Sequence, residues 1–349
     1  MAISIKDLWV QPRGAGRARK LVPVLCFALL IAACAPRLAP PGPGPTAPRL
    51  TADRLIAADG MELPLRAWLP EGGAAPRAVI LALHGFNFYS EIFDEPARYW
   101  AARGIATYAY DQRGFGAAPH PGRWAGTSVM TADVTAAARA LRARHPGAPL
   151  YLLGDSMGGA VVLAALGAAE PPPNDGAILV APAVWARSTL PLSHRLGLWI
   201  GAHTLPWLKL TGRGLNIQAS DNIEMLRELG RDPLVIKETR IDAIHGLVDL
   251  MDAALAAAPR IETRVLLLYG AKDEVIPETP SLQLWRDLPE AARGRQRRAL
   301  YEDGWHMLLR DLEAEVVLND IAQWIADARA PLPSGAEAKA LARLGQDAE

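Results

Sequence analysis

Short, almost wholly apolar runs recur along the middle of the chain, at residues 78–83, 105–110, 150–153, 177–180 and 265–270. Runs of that length without polar alternation fit strands buried on both faces, as a parallel sheet requires. Between them, residues 91–103, 127–145 and 160–169 read as helices, and Pro146-Gly147 stops the second of these. Residues 55–57 and 63–69 flank Asp59-Gly60 and predict an opening hairpin. Beyond residue 270 the pattern predicts a helix over 281–287, a strand over 297–301 and an amphipathic helix over 309–328. Regular alternation of strand and helix implies a mostly parallel central sheet with helices on both faces. In such sheets chemistry gathers at the carboxyl ends of the strands.

The alternation breaks between about residues 183 and 260, after the sixth predicted strand. Residues 190–208 are apolar and proline-punctuated with no strand period, and 222–229 and 241–258 then read as two helices. This insert is expected to form a lid over the strand ends. The body is expected to span residues 51–330, and residues 331–349 read as a mobile tail with some helical character.

The N-terminus reads as an address. Residues 1–20 carry Lys6, Arg13, Arg17, Arg19 and Lys20 against one acid, Asp7, and are followed by an apolar run over 21–33. That run suits a signal-peptide core and is too short for a spanning helix. It ends in Leu30-Ile31-Ala32-Ala33-Cys34, which resembles a bacterial lipoprotein signal. The resemblance implies a leader over 1–33, lipidation of Cys34 and membrane attachment in the cell envelope, at the periplasmic side of an outer membrane where one exists. Residues 34–50, rich in proline, read as an extended tether.

Composition narrows the classes further. The 349 residues include 37 basic and 37 acidic ones, a balance that argues against a nucleic-acid partner. The two cysteines, Cys26 and Cys34, both precede the body, which leaves it without a disulfide or a cysteine-ligated metal site. No cofactor or metal is called for.

The candidate chemistry centres on Gly154-Asp155-Ser156-Met157-Gly158-Gly159, between an apolar strand and a small-residue helix. A Gly-x-Ser-x-Gly pattern in that setting describes a sharp turn that lifts the serine hydroxyl above the sheet. A serine needs a base, itself held by a third group. Of the histidines after Ser156, His194, His203 and His245 fall in the lid, and His306 alone follows the last core strand. His306 is therefore the expected base. Asp273, at the end of the strand over 265–270, is the expected acid, with Glu274 and Asp303 as rivals. Backbone amides of Phe86 and Met157 are the expected oxyanion donors. His84 is expected to brace its loop, and Asp111-Gln112-Arg113-Gly114 to fix a turn.

Taken with His84-Gly85-Phe86, Gly270-Ala271-Lys272-Asp273 and Gly304-Trp305-His306, these motifs resemble the α/β-hydrolase superfamily. Within it they are similar to the monoacylglycerol lipase and lysophospholipase branch, also called the serine aminopeptidase-like hydrolases. The resemblance covers roughly residues 55–328 and implies a serine esterase acting on small lipid-like esters. One departure is the bulk of Phe86-Asn87-Phe88-Tyr89, where family lipases often carry small residues. A peptidase of the same fold, or an inactive surface-tethered binding module, are the alternatives. An aspartate in place of Ser156 would be needed for dehalogenase or epoxide-hydrolase chemistry.

Overall fold

The computed structural model describes residues 36–346 other than Arg213 and Leu215; the predicted leader and Cys34 lie outside the described residues. The sheet opens with Arg49–Leu50 (β1), Arg54–Ile56 (β2) and Glu62–Trp68 (β3), all antiparallel. The predicted hairpin is β2–β3, with Leu55 opposite Leu63 and Gly60 at φ +78° in the turn. That conformation is open to glycine and strained for other residues. β1 is not anticipated, since two residues leave no alternation to read. It makes the strand before the lid the seventh, not the sixth.

Ala78–Leu83 (β4), Ile105–Tyr110 (β5), Leu150–Asp155 (β6) and Gly176–Val180 (β7) follow, and Val265–Gly270 (β10) and Gln296–Tyr301 (β11) come after the lid. They run parallel in the order β5-β4-β6-β7-β10-β11, and β3 joins β5 antiparallel. In β4 every residue is buried. Leu81 and Leu83 face one core layer with Val161 and Val248, whereas Ile80 and Ala82 face the other with Trp100 and Ile321. Two buried faces explain the absence of polar alternation in this strand.

The helices covering the first layer are Thr127–Arg144 (α2), Met157–Leu166 (α3) and Ile241–Ala257 (α6). The second layer is covered by Asp94–Ala101 (α1) and Ala314–Ala326 (α8). α8 buries Val317, Leu318, Ile321, Trp324 and Ile325, a stripe at helical spacing. It begins five residues later than its apolar pattern predicts, because residues 309–313 stay in turns that aim Asp311 inward.

The lid holds more structure than expected. Besides α6 and Ile223–Arg231 (α5), it contains Leu192–Thr204 (α4) and a ribbon of Lys209–Leu210 (β8) paired with Thr239–Arg240 (β9). α4 buries only Ala202 and leaves Leu192, Leu196, Trp199 and Ile200 exposed. Its apolar residues are not confined to a core-facing stripe, so the helical period is hidden in the sequence. Glu278–Asp287 (α7) follows β10 as predicted.

Two terminal expectations are corrected. From Ala39 onward the proline-rich segment lies on the body and does not stand off it. Ala39 N–H donates to the Trp124 carbonyl (2.7 Å), Gly44 N–H to that of Asp59 (2.9 Å) and Thr46 N–H to that of Ala58 (2.9 Å). The C-terminal segment expected to be mobile forms Ala336–Gln346 (α9), seated on β11 through Arg297–Glu337 (3.1 Å) and Lys339–Glu302 (2.5 Å) pairs. Its contact residues are alanines, Ala336 and Ala340, and small side chains leave a weak apolar signal. Among the described residues no helix is long and apolar enough to cross a membrane.

The docked N-terminal strap meets a buried charge network. Arg113, 5% exposed, makes two hydrogen bonds to Asp133 (2.6 and 2.8 Å) and two to Asp59 (2.7 and 2.8 Å). Asp59 also accepts Gly42 N–H at 2.8 Å, tying the strap to the same cluster. The Arg113 guanidinium holds the Asp59 carboxyl well below the usual carboxylate range, against the opposing effect of burial. Its contribution is therefore intact at neutral pH and fades only in strong acid. Removing one partner of a buried pair strands the other charges. Arg113→Ala is expected to lower unfolding free energy by about 3–5 kcal/mol, read from the denaturant midpoint. A change within error would mean that Asp59 and Asp133 find water instead.

Candidate active site

Ser156 sits between β6 and α3 with φ +50° and ψ −112°, a strained conformation for a residue with a Cβ. The surroundings hold it there. Ser156 N–H donates to the Val180 carbonyl (2.9 Å), and the Ser156 carbonyl accepts from Ala183 N–H (2.9 Å) and Ala160 N–H (3.2 Å). The turn is this sharp only because its glycines have no side chains. A Cβ on Gly158 would run into the Leu83 carbonyl, and one on Gly154 would lie 2.5 Å from the backbone of Gly158.

His306 occupies the loop after β11, and Asp273 the turn after β10. Ser156 Oγ–H donates to His306 Nε2 at 2.9 Å, and His306 Nδ1–H donates to Asp273 Oδ2 at 2.8 Å. The second oxygen of Asp273, Oδ1, accepts the N–H groups of Val275 (2.8 Å) and Ile276 (2.9 Å), which fixes the carboxylate in place. The close approach of the two loops needs Gly270, where a Cβ would lie 2.5 Å from the Gly304 carbonyl. The rivals for the acid are otherwise engaged. Glu274 accepts Gln218 N–H (2.7 Å), and Asp303 pairs with Lys272 (2.7 Å).

Met157 opens α3, so its N–H is one of the donors that a helix start leaves unpaired. Phe86 lies three residues past β4, its ring edge-on to Phe115 at 5.5 Å and tilted to Trp124 at 6.4 Å. The bulk at Phe86 is thus absorbed by an aromatic cluster. His84 braces this loop as expected. It donates from Nδ1 to the Gly85 carbonyl (2.9 Å) and accepts Gln112 N–H at Nε2 (2.9 Å). Both contacts specify the neutral imidazole, and burial lowers its pKa. Asp111 fixes its own turn by accepting Ser90 N–H (3.0 Å) and Ala117 N–H (2.9 Å). His203 and His245 lie in the lid, facing each other at 5.8 Å and contacting neither Ser156 nor Asp273.

Two carboxylates near the relay were not singled out by the sequence reading. Asp155 is 8% exposed, and burial pushes its carboxyl up to about 7; His306 opposes that, while Asp273 and Asp311 add to it. Asp311 accepts Trp305 N–H (2.8 Å) and Ser220 Oγ–H (2.6 Å), anchoring the loop that presents His306. Burial alone would lower the His306 pKa. The hydrogen bond and charge of Asp273, backed by Asp155 and Asp311, prevail and raise it. The signal for Asp155 was its place directly before Ser156; Asp311 gave none, since its role depends on residues 305 and 220. Among the described residues no group of three or more His, Cys, Asp or Glu is placed to hold a metal ion.

The family model described as serine aminopeptidase, S33, matches residues 74–313. Human monoglyceride lipase is 27% identical over 280 residues, covering 78% of this chain and 89% of that protein. The monoacylglycerol lipase of Mycolicibacterium smegmatis is 26% identical over 287 residues, covering 76% and 93%. Among solved structures, a soluble variant of Saccharomyces cerevisiae monoglyceride lipase in complex with a substrate analogue superposes with a TM-score of 0.66. It has 21% identity and covers 83% of this chain and 99% of that one. The chain belongs to the serine aminopeptidase S33 family of the α/β-hydrolase fold.

Proposed function

We propose that the protein is a serine hydrolase that cleaves carboxylic esters of single-chain, lipid-like substrates through an acyl-enzyme on Ser156. The observation that carries this reading is the unbroken relay from Asp273 through His306 to a serine held at φ +50°. The similarity to monoglyceride lipases supports the choice of a lipid ester. Ser156 Oγ attacks the ester carbonyl while His306 Nε2 takes its proton, and the backbone N–H groups of Phe86 and Met157 receive the oxyanion. As the ester C–O bond breaks, His306 returns the proton to the departing alcohol. Water then enters, gives a proton to His306 and releases the acid, and Ser156 recovers its proton. Asp273 keeps His306 in the tautomer that presents Nε2 to the serine.

Turnover of p-nitrophenyl esters of increasing chain length by the full chain tests this directly. Ser156→Ala is expected to lower kcat by about four orders of magnitude or more. No hydrolysis of any ester by the folded wild type would sink the reading.

The pH dependence follows from the carboxylates around His306. The base works only when neutral, so kcat/KM rises with pH through a pKa lifted above the ordinary histidine value. Because Asp155 titrates close by, the acidic limb belongs to the pair and not to one residue. Asp155→Asn removes a negative neighbour, destabilises the imidazolium and is expected to move the acidic limb to lower pH. A limb that stays put or moves up would deny the coupling.

The same proposal includes attachment to a membrane of the cell envelope through a lipid on Cys34. Its support is the sequence alone: the basic segment, the apolar run and Ala32-Ala33-Cys34. Labelled fatty acid is expected to enter the wild-type protein and not Cys34→Ser, and equal labelling of both would remove this part of the proposal.

A further inference from the structure

The turn that carries Phe86 is held from two sides. Phe88 N–H donates to the Gly85 carbonyl (3.3 Å), which closes a tight turn with Phe86 and Asn87 at its centre. Gly85 roots that turn against the nucleophile, since a Cβ there would lie 3.4 Å from the Ser156 Cβ. On the body side the Phe86 ring rests against Phe115 and Trp124. On the other side the turn meets the lid segment between α5 and β9.

Three hydrogen bonds cross that seam. The Asn87 carbonyl accepts Ile236 N–H (3.0 Å), Asn87 Nδ2–H donates to Thr239 Oγ1 (2.8 Å), and the Tyr89 hydroxyl donates to Asp232 Oδ2 (2.7 Å). Two of the three end on one residue, Asn87. The lid side of the seam is fixed in its own right. Asp232 Oδ1 accepts Leu234 N–H (2.8 Å), and the Lys237 ammonium donates to the carbonyls of Val235 (3.0 Å) and Asp232. Thr239 is buried at the start of β9.

Asn87 holds φ +69°, in the left-handed region. In four-residue turns the sign of φ at the third position selects between two types, whose central peptide planes differ by a rotation of about 150°. Asparagine is one of the few residues that visit this region, and unlike glycine it has a side chain with which to grip a neighbour. A non-glycine residue at positive φ is still strained, so a turn released from the lid would relax toward the other type. That change would rotate the peptide next to the Phe86 amide, which is the expected oxyanion donor.

We propose that Asn87 is a positioning residue that couples the seating of the lid to the aim of the Phe86 oxyanion donor. With residues 232–239 docked, the two bonds of Asn87 keep the turn in the form that presents the Phe86 N–H. With that segment displaced, the turn relaxes and the donor is lost. The inference rests on the ester-hydrolase reading above and adds a control on it. None of the three bonds involves Ser156, His306 or Asp273, so the linkage acts on the charge developing in the transition state and not on the proton relay.

The test uses the full-length protein and a short, soluble p-nitrophenyl ester. Asn87→Gly keeps the backbone conformation and the carbonyl bond but removes the side-chain bond, and Thr239→Val removes its acceptor at nearly constant shape. Each is expected to lower kcat by about five- to tenfold, as for the loss of one neutral hydrogen bond. KM is expected to stay within about twofold, because an interaction realised only in the transition state leaves ground-state binding alone. The double variant is expected to be no slower than the slower single one, and Thr239→Ser, which keeps the hydroxyl, to recover most of the loss. A trifluoromethyl ketone reads the oxyanion site directly. Ser156 Oγ adds to its carbonyl carbon, the carbonyl π pair becomes the alkoxide, and the serine proton passes to His306. Its Ki is expected to rise by the factor by which kcat falls, whereas the corresponding trifluoromethyl carbinol, which forms no adduct, is expected to bind all variants alike. Wild-type kcat in both Asn87→Gly and Thr239→Val, or a lower kcat with the ketone Ki unmoved, would overturn the linkage. The ester-hydrolase reading would survive either result, since the wild type would still turn over the ester. No turnover by the folded wild type would remove that reading and the linkage with it.

Discussion

The site depends on a contact between backbones that no side chain can enter. Gly158 lies against the carbonyl of Leu83 at the end of β4, and Gly154 lies against the first turn of α3. That approach forces the chain to reverse within Ser156 and leaves its φ at +50°. A strained residue persists only when its surroundings over-determine it, at a cost of about 1–3 kcal/mol. Here the hydrogen bonds to Val180, Ala183 and Ala160 hold both sides of the turn. The strain and the exposure of the hydroxyl have one cause.

Around this turn the protein arranges negative charge in layers. Asp273 touches His306, whereas Asp155 and Asp311 act on it through space. A buried imidazole would ordinarily resist protonation, so these carboxylates are what raise the proton affinity of His306. Asp311 has a second task, because its bond to Trp305 N–H sets the loop from which His306 projects. Farther out, Arg113 plays the opposite part, as a buried cation neutralised by Asp133 and Asp59. Through Asp59 and Gly42 it also secures the N-terminal strap, and the strap reaches Trp124 beside Phe86. The loop that carries Phe86 is therefore supported from the side that leads to the proposed anchor.

The lid is built on different terms from the core. α6 buries most of its apolar residues and packs chiefly on α3, but α4 leaves Leu192, Leu196, Trp199 and Ile200 in solvent. Burial against α3 explains α6 as packing. The exposed side chains of α4 gain nothing from the fold, and they stand with cations in a stretch without acids. An apolar surface of this kind marks a site of interaction with another phase or molecule.

Local patterns carried much of the fold and the site. Apolar runs such as residues 78–83 and 265–270 identified the buried strands, because a strand covered on both faces has no polar side to display. Ser156 was legible because its turn demands glycine at fixed offsets, and His306 because no other histidine follows the last core strand. Other features were settled by tertiary contact. Asp273 is distinguished from Glu274 and Asp303 only by which carboxylate reaches His306. Helix α4 has no amphipathic period to reveal it, α9 is held by alanines and distant ion pairs, and the proline-rich strap is held by main-chain bonds that any residue can make. Sequence alone determined what is required by steric need at neighbouring residues: the buried parallel strands and the sharp turn at Ser156. Only the folded structure decided what depends on partners remote in the chain, since long-range hydrogen bonds and charges leave no periodic trace among neighbouring residues.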